Sequence, residues 1–262
     1  KKMLEVSDEE KPVFLQLFGN DPADFASAIK IVEKEFKDNF VGYDLNCGCS
    51  VPKAIRGKYG CYIMDFPKLV GNIVRAMKKA TTKPVTVKLR LGLAEETYLA
   101  VALEAQDAGA DAICLHARLG KQGFGGKADL AAIKKLKENV KVPVIGNGDV
   151  TSVESYKKMK KETNCDFVMV GRGAIGNAFI FKQIQKEEKK QKVPERTEKE
   201  FLNEGTRFIE LAKEFSLGVN DCRGYFIGLA NGFVGAKTLR GKFGMSKTIN
   251  ELEKHFNDFF SN

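Results

Sequence analysis

The amino-acid sequence predicts an α/β fold, a β/α barrel of the TIM type followed by a small all-helical domain. Short apolar runs recur at intervals of roughly 25 to 45 residues, and each is followed by a stretch whose apolar positions have helical spacing. The runs are almost continuously hydrophobic, which is typical of parallel strands covered by helices. Polar residues stand at the end of every run, where the active sites of β/α barrels lie.

Six strands are predicted from these runs. They are V-F-L-Q-L-F from Val13, V-G-Y-D-L-N from Val41, V-T-V-K-L-R from Val85, A-I-C-L-H from Ala112, V-P-V-I-G from Val142 and F-V-M-V-G from Phe167. The segments between them are predicted helices. The first is an example, since Phe25, Ile29, Val32 and Phe36 would share one helical face.

The number of strands bears on the completeness of the barrel. Eight strands close such a barrel, whereas six leave an open edge. The glycine-rich ends G-N-G-D at 146–149 and G-R-G at 171–173 resemble the phosphate site that barrels form after strands 7 and 8. We therefore expect two further β/α units, about fifty residues, before Lys1. The alternative is an incomplete or doubly wound sheet of six strands.

The helical domain is predicted from the change in periodicity after Pro194. We assign residues 1–192 to the barrel and 193–262 to the helical domain. Two capping boxes open helices there, Thr197 with Glu200 and Thr248 with Glu251.

Composition and charge narrow the classes of function. The net charge is +9, and basic residues cluster between 50 and 90 and between 223 and 247. Such clusters suit a polyanion such as a nucleic acid, although a solvated lysine-rich surface is the alternative. The six cysteines include no C-x-x-C pair, so we expect reduced thiols and no metal site. No apolar stretch approaches the roughly 20 residues of a membrane span, and we expect a cytoplasmic location.

The residues at the strand ends form the candidate site. They are Gln16, Asn46 with Cys49, Lys88 with Arg90, His116 with Arg118, Asn147 with Asp149, and Gly171 with Arg172.

Six short segments carry a family resemblance in the right order and spacing. They are P-V-F-L-Q-L-F-G at 12–19, D-L-N-C-G-C at 44–49, K-L-R-L-G at 88–92, H-A-R at 116–118, P-V-I-G-N-G-D-V at 143–150 and V-G-R-G-A at 170–174. Together they resemble the tRNA-dihydrouridine synthases. The resemblance implies a barrel that binds flavin mononucleotide (FMN), a helical domain that grips tRNA, and NADPH as the electron donor. The reaction would reduce uridine in tRNA to 5,6-dihydrouridine.

Cys49 is the proton donor that the resemblance implies. A hydride would go to carbon 6 of the uracil, and the cysteine that closes the N-x-G-C motif would protonate carbon 5. A thiol with a pKa of about 8.5 is mostly protonated at neutral pH and can act as a general acid. Cys47 is the rival. If the backbone is still extended there, its side chain should point away from the site, because alternate residues of a strand face opposite sides. The resemblance, and not the periodicity, selects Cys49.

The resemblance also implies roles for the other residues. Gln16 would bond the polar edge of the flavin ring, Lys88 would lie near the part of the ring that becomes anionic, and His116 would be a flavin contact or a structural histidine. The phosphate and ribityl cradle would consist of Asn147, Gly148, Asp149, Gly171 and Arg172. Asn46 and Arg118 would hold the uracil, which must be extruded from the folded RNA. Basic residues would hold the tRNA backbone: Lys53, Arg56, Arg223, Lys237 and Arg240.

Two departures from the family pattern keep alternatives open. Ser50 stands where the family usually has proline, and the family's amino-terminal strand has no counterpart. One alternative is a dihydroorotate dehydrogenase-like flavin enzyme that acts on a free pyrimidine. The other is an RNA-binding barrel that has lost catalysis. The tRNA position, the choice of NADPH over NADH and the oligomeric state do not follow from the sequence.

Overall fold

The computed structural model describes residues 4–36, 38–231 and 235–260 and contains one parallel β-sheet. Its strands are β1 Phe14–Leu17, β2 Gly42–Cys47, β3 Val85–Leu89, β4 Ala112–His116, β5 Val144–Asn147 and β6 Phe167–Met169. Each strand pairs in parallel with the next one along the chain, so the order is β1 to β6. The six predicted strands and the α/β class are confirmed.

Helices follow the strands and then form the carboxyl end of the chain. They are α1 Pro22–Glu35, α2 Pro52–Arg56, α3 Pro67–Ala80, α4 Tyr98–Asp107, α5 Leu130–Asn139, α6 Val153–Thr163, α7 Phe179–Glu188, α8 Glu198–Glu214, α9 Val219–Leu229, α10 Ala236–Met245 and α11 Ile249–Phe260. No helix in the described ranges is both long and apolar enough to cross a membrane.

Helix α1 shows how local sequence sets these elements. The Asp21 side chain accepts a hydrogen bond from the Ala23 amide, and Pro22 occupies the first helical position, where its missing N–H costs nothing. The predicted apolar face is buried through Phe25, Ile29 and Val32. Phe36, predicted on the same face, is the residue that ends the helix and is only partly buried.

The two faces of the sheet differ in chemistry. Tyr43, Leu45 and Cys47 alternate along β2 on one face and are completely buried. The other face carries Asp44 and Asn46, which are partly accessible, and their register partners on β3 are Thr86 and Lys88. Because side chains alternate along a strand, the polar residues of neighbouring strands are collected on one face.

The chain divides into two compact units. The first comprises Lys1–Val150 with Ser155–Met169 and holds the sheet. The second comprises Thr151–Glu154 with Val170–Asn262. The domain boundary proposed near residue 192 lies within the second unit, between α7 and α8.

Aromatic side chains form the core of the second unit. The ring of Phe226 meets those of Phe208, Phe243 and Phe256 edge-on at centroid distances of 5.3–5.6 Å. Such edge-to-face pairs add to the hydrophobic stabilisation of burying the rings. Phe226 therefore joins α8, α9, α10 and α11 into one cluster.

The two predicted capping boxes behave differently. Thr197 accepts from the Glu200 amide and Glu200 accepts from the Thr197 amide, so the first box is confirmed. At α11 the Thr248 hydroxyl accepts from the Glu251 amide as predicted. The prediction of the reciprocal bond is wrong by one residue, because the Glu251 carboxylate accepts from the Lys247 amide at 2.7 Å and not from the Thr248 amide.

Replacing Phe226 by alanine should destabilise the second unit by about 3–5 kcal/mol, because it leaves a large cavity in an aromatic core. Phe215→Ala is the matched control, since that ring is 57% exposed, and it should change the free energy of unfolding by less than about 0.5 kcal/mol. Urea unfolding followed by far-UV circular dichroism measures both. Equal effects would contradict the assignment of Phe226 to the core.

Candidate active site at the carboxyl ends of the strands

Cys49 lies in a short turn between the end of β2 and the start of α2. The Asn46 side-chain oxygen accepts hydrogen bonds from the amides of Gly48 and Cys49, both at 3.0 Å. The Gly48 carbonyl accepts from Arg90 Nε at 2.9 Å, and the Cys49 carbonyl accepts from the Cys61 amide at 2.8 Å. All four backbone polar groups of Gly48 and Cys49 are therefore bonded, and the thiol stands on a fixed backbone.

Gly60 packs directly against this turn. Its φ of +64° lies in the region that favours glycine. A Cβ atom added there would lie 2.6 Å from the Cys49 carbonyl oxygen and 3.0 Å from the Cys49 Cβ. Only glycine lets the following 3-10 turn, Gly60–Asp65, approach Cys49 closely enough for the Cys61 amide to bond it.

The cysteines near the turn differ in accessibility. Cys47 is completely buried, on the face of β2 opposite Asn46, as predicted. Burial raises the pKa of the Cys47 thiol well above its usual value, and Asp44 and Cys61 raise it further. Burial also raises the pKa of Cys61, to about 11, although Arg90 opposes the shift. Cys49 is partly exposed, so it is the thiol of the three that solvent and ligands can reach.

A chain of side-chain hydrogen bonds crosses the polar face of the sheet toward this turn. The Thr86 hydroxyl donates to Asp44 at 2.6 Å, and Gln16 Nε2 donates to the other Asp44 oxygen at 2.6 Å. Asn46 Nδ2 in turn donates to Gln16 Oε1 at 2.8 Å. Since Asn46 also holds the Cys49 amide, the chain links β1, β2 and β3 to the position of the thiol.

Lys88 stands on the same face, between its register partners Asn46 and Cys114. Burial raises the pKa of Asp44, and this is opposed by its hydrogen bonds from Thr86 and Gln16 and by the positive charge of Lys88. A lysine near a half-buried carboxylate gives this part of the sheet both signs of charge in restricted solvent.

His116 is the last residue of β4, Arg118 lies two residues beyond it, and both side chains are buried. Arg118 is 2% exposed, and its Nη2 is 2.7 Å from both carboxylate oxygens of Asp149. The same guanidinium donates to the carbonyls of Gly125 and Gly126, and its Nη1 lies 3.2 Å from His116 Nε2. The uracil contact predicted for Arg118 is not favoured by this arrangement, because a buried guanidinium would have to give up a carboxylate and two carbonyls.

The segment Asn147–Asp149 forms a tight turn after β5. Gly148 has a φ of +133°, and a Cβ there would lie 2.6 Å from the Ala128 Cβ. Asn147 donates to the Met169 carbonyl at 2.9 Å, and Asp149, whose φ is +56°, also accepts from the Ala128 amide. The side chains of Asn147 and Asp149 thus hold the turn, and the buried Gly148 packs against Ala128 at a distance that leaves no room for a side chain.

The remaining predicted residues lie on both units. Lys53 and Arg56 are exposed on α2, four and seven residues after Cys49. In the second unit, Gly171 and Arg172 are exposed at the 3-10 turn Arg172–Ala174, and Lys237 is exposed on α10. Arg240 donates to Asn231, and Arg223 donates to Asn220 and to the Ser246 carbonyl. Arg223 therefore fastens α9 to the end of α10 as well as adding positive charge.

Two residues of the site were not assigned from the sequence, Asp44 and Arg90. Asp44 stands in the D-L-N-C-G-C segment two residues before Asn46, and strand alternation would have placed it on the same face. Arg90 follows β3 and was noted only as a strand-end residue. No pattern could indicate that it bonds Gly48, a partner 42 residues away.

A family model described as dihydrouridine synthase matches residues 1–262. The chain belongs to the dihydrouridine synthase family. Curated relatives described as probable tRNA-dihydrouridine synthases include one from Aquifex aeolicus, 41% identical over 70% of this chain and 58% of that protein. Another, from Mycobacterium leprae, is 34% identical over 96% of this chain and 67% of that protein. A third, from Synechocystis, is 32% identical over 95% of this chain and 71% of that protein. The chain thus spans between about three fifths and seven tenths of the length of these dihydrouridine synthase relatives.

The raised pKa of Asp44 predicts a pH dependence of stability. Above pH 3.8, the ordinary value for this carboxyl, the unfolded chain loses the Asp44 proton while the folded chain still holds it. Folding stability therefore falls as the pH rises through the folded-state pKa. Asp44→Asn removes the titrating carboxyl and with it this loss of stability. The free energy of unfolding of the variant, relative to that of the parent, should therefore increase as the pH rises above 3.8 and become constant above the folded-state pKa.

Urea unfolding of the parent and of Asp44→Asn at pH values from about 4 to 8 measures the difference between their free energies of unfolding. A constant offset between the two is expected from the altered hydrogen bonds to Gln16 and Thr86 and carries no information. A difference that does not change with pH would contradict the burial of the Asp44 carboxyl.

Proposed function

We propose that this dihydrouridine synthase family member reduces uridine in tRNA to 5,6-dihydrouridine, with FMN as the cofactor, NADPH as the electron donor and the Cys49 thiol as the proton donor. One observation carries the proposal. A partly exposed thiol stands at the carboxyl end of β2 on a backbone whose four polar groups are bonded, beside the polar face of a parallel sheet. Fixing a proton donor in this way is what general acid catalysis needs.

Accessibility supports Cys49 rather than Cys47 as the donor. The acid must touch the carbon that it protonates, and Cys47 is sealed on the opposite face of β2. The high pKa of Cys47 also makes it a weaker acid. Cys49, the accessible thiol, is therefore the one that we propose delivers a proton to carbon 5 of a uracil.

The residues of the polar face fit a flavin ring. Gln16 is exposed and uses one hydrogen of its amide on Asp44, which leaves the second to reach a ring carbonyl or nitrogen. Lys88 supplies a positive charge on the same face. We propose that the turn of Asn147, Gly148 and Asp149 forms the phosphate and ribityl cradle. We propose that Gly171, Arg172 and His116 contribute to flavin binding as well. The bound flavin would supply the hydride for carbon 6.

Asn46 is the proposed uracil contact. Its oxygen holds the Cys49 turn and one of its amide hydrogens goes to Gln16, so the second hydrogen is available for a uracil carbonyl. This would orient the base against the same turn that carries the thiol. We assign Arg118 to holding the 125–126 loop and Asp149 and not to the uracil.

The tRNA contacts are proposed from exposure and charge. Lys53 and Arg56 stand on α2, which begins three residues after Cys49, so they lie close in the chain to the thiol that the base must reach. Lys237, Arg240 and Arg223 add positive charge to the second unit. Basic groups that neutralise phosphates release counterions, which favours a polyanionic substrate over a free nucleoside.

Replacing Cys49 by alanine should lower the rate of dihydrouridine formation by at least about a hundredfold, the usual scale for removing a general acid. Unmodified tRNA is incubated with protein, FMN and NADPH, and dihydrouridine is measured by mass spectrometry. Cys47→Ala is the matched control and should stay within about threefold of the parent, since Cys47 does not touch the substrate.

Free uridine and free orotate, both of which have a 5,6 double bond to reduce, serve as alternative substrates with the same FMN and NADPH, and mass spectrometry measures their reduced products. A Cys49→Ala variant as active as the parent would contradict the role of Cys49. Turnover of a free pyrimidine without turnover of tRNA would favour a dihydroorotate dehydrogenase-like enzyme. A parent that binds tRNA but binds no flavin and turns over neither substrate would favour an RNA-binding barrel without catalysis.

Replacing Lys88 by methionine should weaken FMN binding by at least about tenfold, because it removes a positive charge from a site of restricted solvent while keeping most of the side-chain volume. Quenching of flavin fluorescence on titration with protein measures the affinity. Lys68→Met, an exposed lysine on α3, is the control and should bind FMN as the parent does. Unchanged binding by Lys88→Met would contradict the flavin contact.

A further inference from the structure

Arg90 joins the Cys49 turn to a second loop. Its side chain is almost wholly buried, 6% exposed, and lies directly after the last residue of β3. Nε donates to the Gly48 carbonyl at 2.9 Å, while Nη1 donates to the carbonyls of Leu119 and Gly123 at 3.1 and 2.7 Å. One guanidinium therefore bonds three backbone carbonyls in two loops that follow different strands, β2 and β4.

The second loop carries an exposed aromatic ring. Phe124 is 59% exposed, its ring lies 5.6 Å from the Arg90 guanidinium carbon, and its centroid is 6.2 Å from that of His116. Arg90 is thus covered on one side by a ring that faces the strand ends. Because the loop after β4 is bonded by Arg90 at residues 119 and 123 and by Arg118 at residues 125 and 126, its backbone is held on both sides of Phe124.

The guanidinium is the group that such a bridge requires. Its hydrogens are fixed in a planar fork, so Nε and Nη1 can bond carbonyls in different directions at once. A lysine ammonium is a single point charge on a flexible stem, and its donors do not lie in a fixed plane. It would therefore bond one of the two loops at the expense of the other. Burying a positive charge is unfavourable unless it is hydrogen-bonded, so release of either loop would leave the guanidinium poorly satisfied.

We infer that Arg90 is a positioning residue for the proton transfer: it holds the Cys49 turn and the loop of Phe124 in one fixed arrangement at the strand ends. The inference rests on the proposed function of Cys49 as the donor. Arg90 acts through the Gly48 carbonyl, one peptide bond from Cys49. Its loss should therefore slow the protonation step without weakening the binding of tRNA.

The test measures the Cys49 thiol directly. The full chain, its Arg90→Met and Arg90→Lys variants, and the control Arg75→Met are treated with iodoacetamide, and alkylation at each cysteine is followed by peptide mass spectrometry. Arg75 is a surface residue of α3 that bonds Asn72, so its loss should change nothing. Cys47, which is completely buried, reports on folding in the same sample.

We expect the Cys49 alkylation rate to rise at least about fivefold in Arg90→Met while Cys47 stays protected, with a smaller rise in Arg90→Lys. In the tRNA assay, kcat should fall at least about tenfold in Arg90→Met while KM for tRNA stays within about twofold. The alkylation result does not depend on turnover. A parent without activity would therefore count against the proposed function, while the rate of Cys49 alkylation would still test the positioning role of Arg90.

Three outcomes would overturn the inference. One is a folded Arg90→Met variant whose Cys49 reacts at the rate of the parent. Another is a rise in KM for tRNA with an unchanged kcat, which would make Arg90 a substrate-binding residue. The third is alkylation of Cys47 in both Arg90 variants, which would show that Arg90 is needed for folding as such.

Discussion

The structure of the site depends on the hydrogen bonding of one dipeptide, Gly48–Cys49. Asn46 binds both of its amides, Arg90 binds the first carbonyl and Cys61 binds the second. A turn beyond a strand ordinarily has backbone groups open to water. Here the four groups are bonded by residues of β2, of the segment after β3 and of the 3-10 turn after α2, so the position of the thiol is set by three separate segments of the chain.

The same constraint explains why charged residues are buried beside the turn. A guanidinium in restricted solvent must have its hydrogens bonded, and Arg90 and Arg118 find acceptors in the carbonyls of the loop between 119 and 126. Arg118 is further compensated by Asp149, and Asp44 is held by Thr86, Gln16 and the charge of Lys88. The buried charges thus add to the backbone hydrogen bonds that Gly120 and Lys121 of this loop donate to Gly92 and Leu93, which helps to order the site before any ligand binds.

The sequence predicted the six strands correctly, and it indicated which candidate residues stand near their carboxyl ends. Parallel strands that are covered by helices read as short apolar runs, and the carboxyl ends of parallel strands meet at one edge, so Gln16, Asn46 and Lys88 could be placed together. The role of Arg90 and the burial of Arg118 could not be predicted. Their partners are mostly backbone carbonyls of other loops, every residue type has such a carbonyl, and no spacing in the sequence indicates it. The Glu251 bond to Lys247 escaped prediction for a smaller reason, because carboxylates at helix starts can reach either of two adjacent amides.

Amide hydrogen exchange at Gly48 and Cys49 in the full chain tests the central claim most directly. A backbone amide bonded to a fixed Asn46 oxygen should exchange as slowly as the amides inside β2, although both residues lie beyond the end of that strand. Exchange at the rate of a solvated loop, with β2 still protected, would contradict the account, because the thiol would then stand on a backbone that the neighbouring residues do not hold.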